Sequence, residues 1–210
     1  AEADTYVSDP AKPVPYTEDV HLDRTNEYMT DDQRFAARRP DVLAYQTPPL
    51  EEALTVTGPV TAELWVSLDD RGAAEAGRLL DADFVVKLID VFPDTLTGPE
   101  GGVPPGGYQM LVRGEIFRGR YRNSFEKPAG FERNKPTLVR FELPDVAHTF
   151  LPGHKLMIQV QSSWFPLADR NPQQFIHIYQ AKDDDFIPVE VKVWHNSTYA
   201  SGILLPLLQP

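Results

Sequence analysis

The chain has 210 residues, of which 41% are hydrophobic, so it is long enough for one or two domains with a substantial core. Its formal net charge of −11 disfavours nucleic acid and anionic membranes as partners, since both require a positive surface. It has no cysteine, which excludes disulfides, thiolate metal sites and cysteine nucleophiles.

The sequence says little about the cellular compartment of the protein. No apolar run approaches the length of a transmembrane helix. The chain starts at Ala1-Glu2-Ala3-Asp4, without Met and without the pattern of a signal peptide. We therefore interpret it as a piece of a longer protein, and its compartment, exported or cytoplasmic, stays open.

The first 30 residues are predicted to be an extended arm. Residues 6–15 (YVSDPAKPVP) are rich in proline and should be extended, as polyproline II or as an edge strand. Residues 16–30 show no periodicity. A short helix is predicted over 31–38, with acidic residues at its start and arginines near its end. We therefore divide the chain into an arm (1–30) and a globular domain (31–210).

The globular domain is predicted to consist of strands. About ten short runs have strand character and are separated by turn signals. They are 41–45, 54–57, 60–67, 83–92, 108–122, 137–143, 154–161, 175–179, 189–194 and 203–207. The run 83–92 is the most hydrophobic and is expected to be central. This pattern is typical of an all-β sandwich or jelly roll.

The connections between these strands carry their own predictions. Residues 70–80 are interpreted as a surface insertion with a helix-like pattern over 73–80. Residues 95–107 (TLTGPEGGVPPGG) have the composition of a long loop. Gly114 interrupts its strand and is expected to form a bulge.

The run 154–161 shows why two sheets are needed. His154, Leu156, Ile158 and Val160 alternate with more polar residues, which is the period of a strand with one buried face. Such a strand needs a second sheet to cover its apolar face.

The sequence lacks the motif of a serine hydrolase. An α/β-hydrolase nucleophile lies in G-x-S-x-G, and no such motif is present. The seven serines are Ser8, Ser67, Ser124, Ser162, Ser163, Ser197 and Ser201. Because none has the flanking glycines, we predict no catalytic residue in this chain.

The sequence predicts no metal or cofactor site. The five histidines (His21, His148, His154, His177 and His195) form no His-x-His pair of the kind that cupin metal sites use. Asp183-Asp184-Asp185 and Asp81-x-Asp83 lack the glycine and distal glutamate of a calcium loop. The glycine-rich stretch 98–107 lacks the Gly-Lys-Ser/Thr of a phosphate-binding loop.

The three tryptophans leave one alternative open. Trp65, Trp164 and Trp194 could form a platform on which sugar rings stack, although such residues more often belong to a core or an interface. Residue patterns alone therefore predict a β-sandwich and name no activity.

Five motifs resemble a known family. They are YVSDPAKPVP, DQRFAARRPDVLAYQTPPL, DADFVVKLIDVFPD, IFRGRYRNSFEKP and FLPGHKLMIQVQSSWFPLADRNPQ. In this order they resemble the C-terminal domain of the X-Pro dipeptidyl-peptidase and cocaine esterase group, and especially of the α-amino acid ester hydrolases, also known as glutaryl-7-aminocephalosporanic acid acylases. The resemblance runs from Tyr6 to the final strand, with departures at 70–80 and 97–106.

The resemblance implies a jelly roll of galactose-binding-like architecture that accompanies a catalytic domain. In that family a serine hydrolase has an α/β-hydrolase domain, a helical cap and this C-terminal domain, and the catalytic Ser, Asp and His precede the segment present here. The arm would then lead from the α/β-hydrolase domain of the same polypeptide. The full enzyme would act on an acyl ester or amide, and a homo-oligomer is left open.

The resemblance also implies two substrate-pocket residues. Some relatives place an aromatic or apolar residue, a few positions before DQR, into the acyl pocket. The matching stretch here is Glu27-Tyr28-Met29-Thr30. Tyr28 and, less directly, Met29 are therefore the candidates, and the alternative for Tyr28 is packing in an interdomain interface. A carbohydrate-binding β-sandwich module is the competing function.

Overall fold

The computed structural model describes residues 2–19, 21, 25–96 and 106–208. In these ranges the chain forms nine strands: β1 (Ala3–Ser8), β2 (Leu43–Gln46), β3 (Leu54–Asp69), β4 (Asp83–Val91), β5 (Gln109–Arg118), β6 (Thr137–Phe150), β7 (Lys155–Gln161), β8 (Val189–Trp194) and β9 (Gly202–Leu204). Helical structure in the same ranges is limited to α1 (Arg34–Ala37) and to 3₁₀ turns at Glu27–Met29, Gly119–Tyr121, Ile178–Gln180 and Asp183–Asp185. No helix within the described ranges is long and apolar enough to cross a bilayer.

The strands form two antiparallel sheets that share one core. The five-stranded sheet has the order β1-β8-β3-β6, and β9 also pairs with β3. The four-stranded sheet has the order β2-β7-β4-β5. Along the chain, β1 to β4 alternate between the two sheets, and so do β5 to β8. The predicted all-β sandwich is confirmed; the jelly-roll topology stays a prediction, which this alternation supports.

Alternating residues of the facing strands fill the space between the sheets. In β3 the side chains of Val60, Ala62, Leu64, Val66 and Leu68 face inward and are almost completely buried. The intervening residues of the same strand are mostly more exposed. This is the period of a strand with one face in a core.

Strand β4 differs because both of its faces are buried. Every residue of Asp83–Val91 is buried, and the strand lies between β7 and β5, which confirms that it is central. Phe84, Val86 and Leu88 face the other sheet. The opposite face, which carries Lys87, needs a third layer to exclude water.

The third layer is the described part of residues 10–42, here called the cover segment. In it, Tyr16 packs against Trp164, which follows β7. The Tyr16 N–H donates to the Phe165 carbonyl at 3.0 Å, and the Phe165 N–H donates to the Val14 carbonyl at 3.0 Å. The cover segment is therefore bonded to the chain that follows β7 as well as packed on the sheet.

The start of the predicted arm is an edge strand. β1 pairs with β8 from Ala3↔Trp194 to Ser8↔Val189. This is one of the two extended conformations that the sequence allowed. The boundary at residue 30 between a linking arm and the globular domain stays a prediction.

Two strands pass through prolines at which the sequence predicted an end. β3 is continuous through Gly58-Pro59, and β6 continues beyond Pro144. The register between these strands shifts between the pairs Gly58↔Val146 and Val60↔Leu143. Pro59 and Pro144 both lie in this bulge, where a missing N–H group costs no hydrogen bond between the strands. The prediction that the strands end at these prolines was therefore wrong.

Other local predictions were wrong or only partly correct. Residues 73–80 do lie between β3 and β4 but form no helix: Gly77 has φ +82°, and the Asp70 carboxylate accepts from the Ala74 N–H at 2.6 Å. Residues 175–179, predicted to be a strand, form none, and the 3₁₀ turn Ile178–Gln180 begins within them. The predicted helix 31–38 is reduced to the one turn of α1. Polar side chains and tertiary contacts override weak local periodicity here.

The prediction for β5 was partly wrong. The strand ends at Arg118, and its bulge lies at Val112, opposite the step from Leu88 to Ile89. Gly114 pairs regularly with Lys87. Most of the loop predicted over 95–107 lies outside the described residues.

A buried polar network fastens the chain after β7 to the start of β4. Asp81 accepts from the Arg120 Nε at 2.7 Å, and Asp83 accepts from the Arg118 Nε at 3.0 Å. The Asn171 amide donates to both carboxylates, at 2.9 and 2.8 Å. Burial raises the pKa of Asp83 to about 6, although the Arg118 guanidinium opposes this shift.

Replacing Asn171 by Ala should destabilise the fold, because two buried carboxylates lose a shared donor. We expect a loss of about 2–4 kcal/mol in the free energy of unfolding, measured by urea denaturation. The folded-state pKa of Asp83 lies above its unfolded value, so its ionisation lowers stability as pH rises from about 4 through 6. The loss in Asn171→Ala should therefore be larger at pH 7 than at pH 4.

The matched control is Asn123→Ala, at an exposed position. It should change the unfolding free energy by less than about 0.5 kcal/mol. Equal stability of the two variants at pH 7 would contradict a structural role for the Asn171 network.

Candidate functional site

Four of the serines form structural hydrogen bonds with residues that are distant in sequence. The Ser162 hydroxyl bonds to the Tyr6 hydroxyl at 2.7 Å, and the Ser163 hydroxyl accepts from the Val14 N–H at 2.8 Å. The Ser67 hydroxyl accepts from the indole N–H of Trp194, and the Ser201 hydroxyl accepts from the backbone N–H of Trp65. In the described ranges, no hydrogen bond joins a serine to a histidine. None of these serines therefore has the base that a nucleophile requires.

Two histidines share one buried carboxylate. The Asp90 oxygens lie 2.9 Å from His148 Nε2 and 2.8 Å from His154 Nδ1. These contacts tie the β6–β7 turn to β4. Within the described chain no group of three or more His, Asp and Glu side chains has the geometry to hold a metal ion.

The acidic sequences that could have bound calcium have other partners. Asp81 and Asp83 are paired with arginines. The Asp183–Asp185 turn is exposed, and the Asp185 carboxylate accepts from the Lys182 N–H at 2.8 Å. The carboxylates of Asp81, Asp83 and Asp185 thus have structural partners.

The three tryptophans do not form one platform. Trp65 and Trp194 both pack on Tyr199, on the outward side of the five-stranded sheet, with ring centroids 5.1 and 6.0 Å away. Trp164 is 6% exposed and lies on the outer face of the other sheet. The hypothesis of a sugar-binding platform built from all three rings is therefore wrong.

Tyr28 and Met29 lie together at a small hollow on that outer face. Tyr28 contacts the rings of Tyr16, at a centroid distance of 5.4 Å, and Trp164, at 6.1 Å and nearly perpendicular. Met29 is 53% exposed. The hollow has a volume of about 70 Å³ and is lined by Tyr28, Met29, Leu111, Val112, Arg113, Gly114 and Trp164. We call this group the aromatic seam.

Gly114 allows the aromatic seam to lie close to the sheet. A Cβ atom at this position would come within 2.8 Å of Trp164 Cη2, which is closer than real Cβ contacts. Any larger residue would therefore push the indole away from β5. The indole in turn fixes the ring of Tyr28, so the position of Tyr28 depends on this glycine.

A buried lysine lies beside the aromatic seam. Lys87 is fully buried in the middle of β4, and its Nζ donates to the Gln33 side-chain oxygen at 3.0 Å. The Nζ also lies 5.6 Å from the ring centroid of Phe35 and 5.2 Å from that of Trp164. Burial lowers the pKa of Lys87 to about 7. The sequence analysis missed this residue, although a lysine inside the apolar run DFVVKLIDV was a visible signal.

A second amide extends this contact into the cover segment. Gln159 of β7 donates from Nε2 to the Gln33 backbone carbonyl at 3.3 Å, and the Gln33 side-chain Nε2 donates to the Asp31 carbonyl at 2.9 Å. Gln33 is 1% exposed. Lys87, Gln33 and Gln159 therefore anchor the turn that follows Met29 onto the sheet.

Comparison with known proteins relates most of the chain to one family. Residues 3–184 match the X-Pro dipeptidyl-peptidase C-terminal non-catalytic domain. A curated relative, cocaine esterase from Rhodococcus sp. (strain MB1 Bresler), is 33% identical over 207 residues. That alignment covers 99% of this chain and 32% of the relative.

Two solved structures resemble the chain over nearly its whole length. An aminopeptidase from the marine sediment archaeon Thaumarchaeota archaeon is 43% identical, with a TM-score of 0.86. An α-amino acid ester hydrolase is 41% identical, with a TM-score of 0.88. In each case the match covers 99% of this chain and 33% of the other. The chain thus spans about a third of the length of these relatives.

Replacing Lys87 by Met should remove a pH dependence of stability. Above pH 7 the folded chain holds a neutral amine, while an unfolded lysine keeps its proton up to about pH 10.5. The unfolded state binds more protons in this interval, so the stability of the parent chain should rise with pH from about 7 to 10.5. Lys87→Met should lack the rise and be about 1–3 kcal/mol more stable at pH 7.

Urea denaturation at intervals from pH 6 to 10 measures both effects. Lys155→Met, at a partly exposed position on β7, serves as the control and should retain the slope of the parent chain. A slope that persists unchanged in Lys87→Met would refute the assignment.

Proposed function

The chain belongs to the family of X-Pro dipeptidyl-peptidase C-terminal non-catalytic domains, and from this we propose that it is the accessory domain of a serine ester or amide hydrolase. In this proposal it packs on an α/β-hydrolase domain of the same polypeptide. Its aromatic seam contributes to the acyl pocket of the full enzyme.

The names of the relatives support the class of reaction. An esterase, an ester hydrolase and an aminopeptidase all cleave an acyl bond, to oxygen or to nitrogen. Each is about three times as long as this chain, which leaves room for a catalytic domain. The absence of G-x-S-x-G in this chain is consistent with a nucleophile located elsewhere.

The mechanism that we propose is acyl transfer through a serine outside this chain. The serine attacks the substrate carbonyl, releases the alcohol or amine, and leaves an acyl-enzyme that water hydrolyses. The accessory domain takes no part in bond making. It contributes by presenting a fixed apolar surface to the acyl group, which helps to hold the carbonyl in position.

The half-exposed side chain of Met29 beside the fixed ring of Tyr28 is the observation that carries this proposal. A methionine adapts its shape to an apolar partner, whereas an aromatic ring held by two others is rigid. Such a pair is suited to contacting an acyl group or an apolar segment of a neighbouring domain. The hydrogen bond between Lys87 and Gln33 helps to hold Tyr28 and Met29 in place, because it anchors the cover segment to the sheet.

Replacing Tyr28 by Ala in the full-length enzyme should weaken binding of the acyl group. We expect a rise in KM, or a change in preference among acyl groups, of about 3–30-fold, because an aromatic contact is lost. The measurement is steady-state hydrolysis of a series of α-amino acid methyl esters that differ in side-chain size. Met29→Ala should act in the same direction with a smaller effect.

Tyr179→Ala is a suitable control, since this tyrosine is 86% exposed and lies in a different part of the chain. It should leave KM unchanged for every ester. If Tyr28→Ala shows the same KM as the parent across the series, Tyr28 only packs in an interface and does not contact substrate.

The isolated chain should not hydrolyse p-nitrophenyl acetate or an α-amino acid methyl ester. When it is mixed with a separately produced α/β-hydrolase portion of the same protein, activity should appear or become more stable to heat, since the two parts bury a common interface. Turnover by the chain alone would mean that a nucleophile is present in it, and would overturn the proposed division of labour.

A further inference from the structure

A cavity of about 540 Å³ opens between the two sheets, away from the aromatic seam. Its walls are mainly aliphatic, with contributions from Leu64, Ile158, Val160, Val193 and Ile203. This volume and character are those of small-molecule sites, which are largely apolar with a few polar groups at defined positions. We call it the inter-sheet cavity.

The cavity exists because the five-stranded sheet is incomplete at this point. β8 pairs with β3 only over Val66–Asp69, and β9 takes its place along β3 at Thr61–Glu63. Between them, residues 195–201 leave the sheet. The inner face of β7 is therefore not covered by a continuous layer, and Ile158 and Val160 line the opening.

The strand register places a carboxylate at this apolar opening. Asp4 pairs with Val193. Its side chain lies on the same face of β1 as the buried Tyr6, and Thr5 between them lies on the opposite, exposed face. It therefore lies on the core-facing side of the sheet, at a position where an apolar residue would be expected. Its side chain is 39% exposed and lines the inter-sheet cavity.

The contacts of Asp4 leave part of its carboxylate available. Tyr45 of β2 donates from its hydroxyl to Asp4 Oδ2 at 3.0 Å, and His195 Nε2 lies 3.3 Å from the same oxygen. Burial and the neighbouring carboxylate both raise the pKa of Tyr45, so its hydroxyl keeps the proton that it donates. In the described ranges no donor contacts Oδ1, so the carboxylate can accept a further hydrogen bond.

We propose that the inter-sheet cavity binds a compact apolar molecule that carries a protonated amino group. The ammonium donates to the Asp4 carboxylate at the mouth, and the hydrocarbon part displaces weakly held water from the aliphatic walls. The net charge of −11 adds a long-range attraction for cations.

Other ligand classes fit these walls less well. A carbohydrate would bury many hydroxyl groups against Leu64, Val160 and Val193, which offer no hydrogen bonds. A fatty acid of the same size would bring its carboxylate against that of Asp4. The polar groups at the mouth therefore select for a cation, and the walls select for hydrocarbon.

Three probes of equal length separate charge from hydrophobicity: n-octylammonium, 1-octanol and octanoate. Binding to the complete chain is measured by isothermal titration calorimetry and by methyl NMR shifts of the cavity residues. We expect n-octylammonium to bind about 5–10-fold more tightly than 1-octanol, because its hydrogen bond is charge-assisted, and octanoate to bind most weakly. The advantage of n-octylammonium should decrease at high salt.

Two pairs of variants locate the site. Asp4→Asn should reduce n-octylammonium affinity to that of 1-octanol, whereas Glu2→Gln, an equal change of charge at an exposed position nearby, should have little effect. Ile203→Trp should fill the inter-sheet cavity and abolish binding of all three probes. Leu204→Trp, on the neighbouring exposed residue, should not.

Several results would overturn the proposal. They are no binding of n-octylammonium to the parent chain, octanoate binding as tight as that of n-octylammonium, or equal effects of Asp4→Asn and Glu2→Gln. Because the comparison of the three probes uses the unmodified chain, it decides the matter even if Ile203→Trp fails to fold.

Discussion

The burial of β4 on both faces is the constraint on which the rest of this structure depends. A two-sheet sandwich buries one face of each strand, and the other face normally meets water. In Asp83–Val91 no residue is exposed, so a third layer has to cover the four-stranded sheet. The cover segment and the chain around Trp164 provide that layer, and the aromatic seam is where they meet.

Charged side chains also lie in the interior, and Lys87, Asp81 and Asp83 are held there by specific partners. Lys87 has the Gln33 oxygen and two aromatic rings, and Asp81 and Asp83 have two arginines and Asn171. Unpaired buried charges would cost several kcal/mol each, on the order of the whole stability of a domain. The contact between Lys87 and Gln33 therefore orients the cover segment more sharply than apolar contacts alone would. The position of Tyr28 follows from that orientation.

The cover segment, which carries Tyr28 and Met29 of the aromatic seam, and the inter-sheet cavity lie on opposite faces of the four-stranded sheet. In β7, Gln159 contacts the cover segment, whereas Ile158 and Val160 line the inter-sheet cavity. The aromatic seam lies on the outer face of this sheet, and the aliphatic inter-sheet cavity opens on its inner face. This separation means that the two proposals, an acyl-pocket contribution and an amine site, are independent and can succeed or fail separately.

The sequence by itself determined the all-β class, the central position of β4 and the family, because strand periodicity and long ordered motifs are local properties of the chain. It also drew attention to Tyr28 and Met29. Only the tertiary structure decided that β3 and β6 run through their prolines, since the bulge that accommodates Pro59 and Pro144 requires both strands together. The same holds for the buried amine of Lys87, which meets Gln33 and Trp164 from distant parts of the sequence. It holds as well for Asp4, whose place at an apolar opening depends on where β8 ends and β9 begins, and no local pattern encodes that.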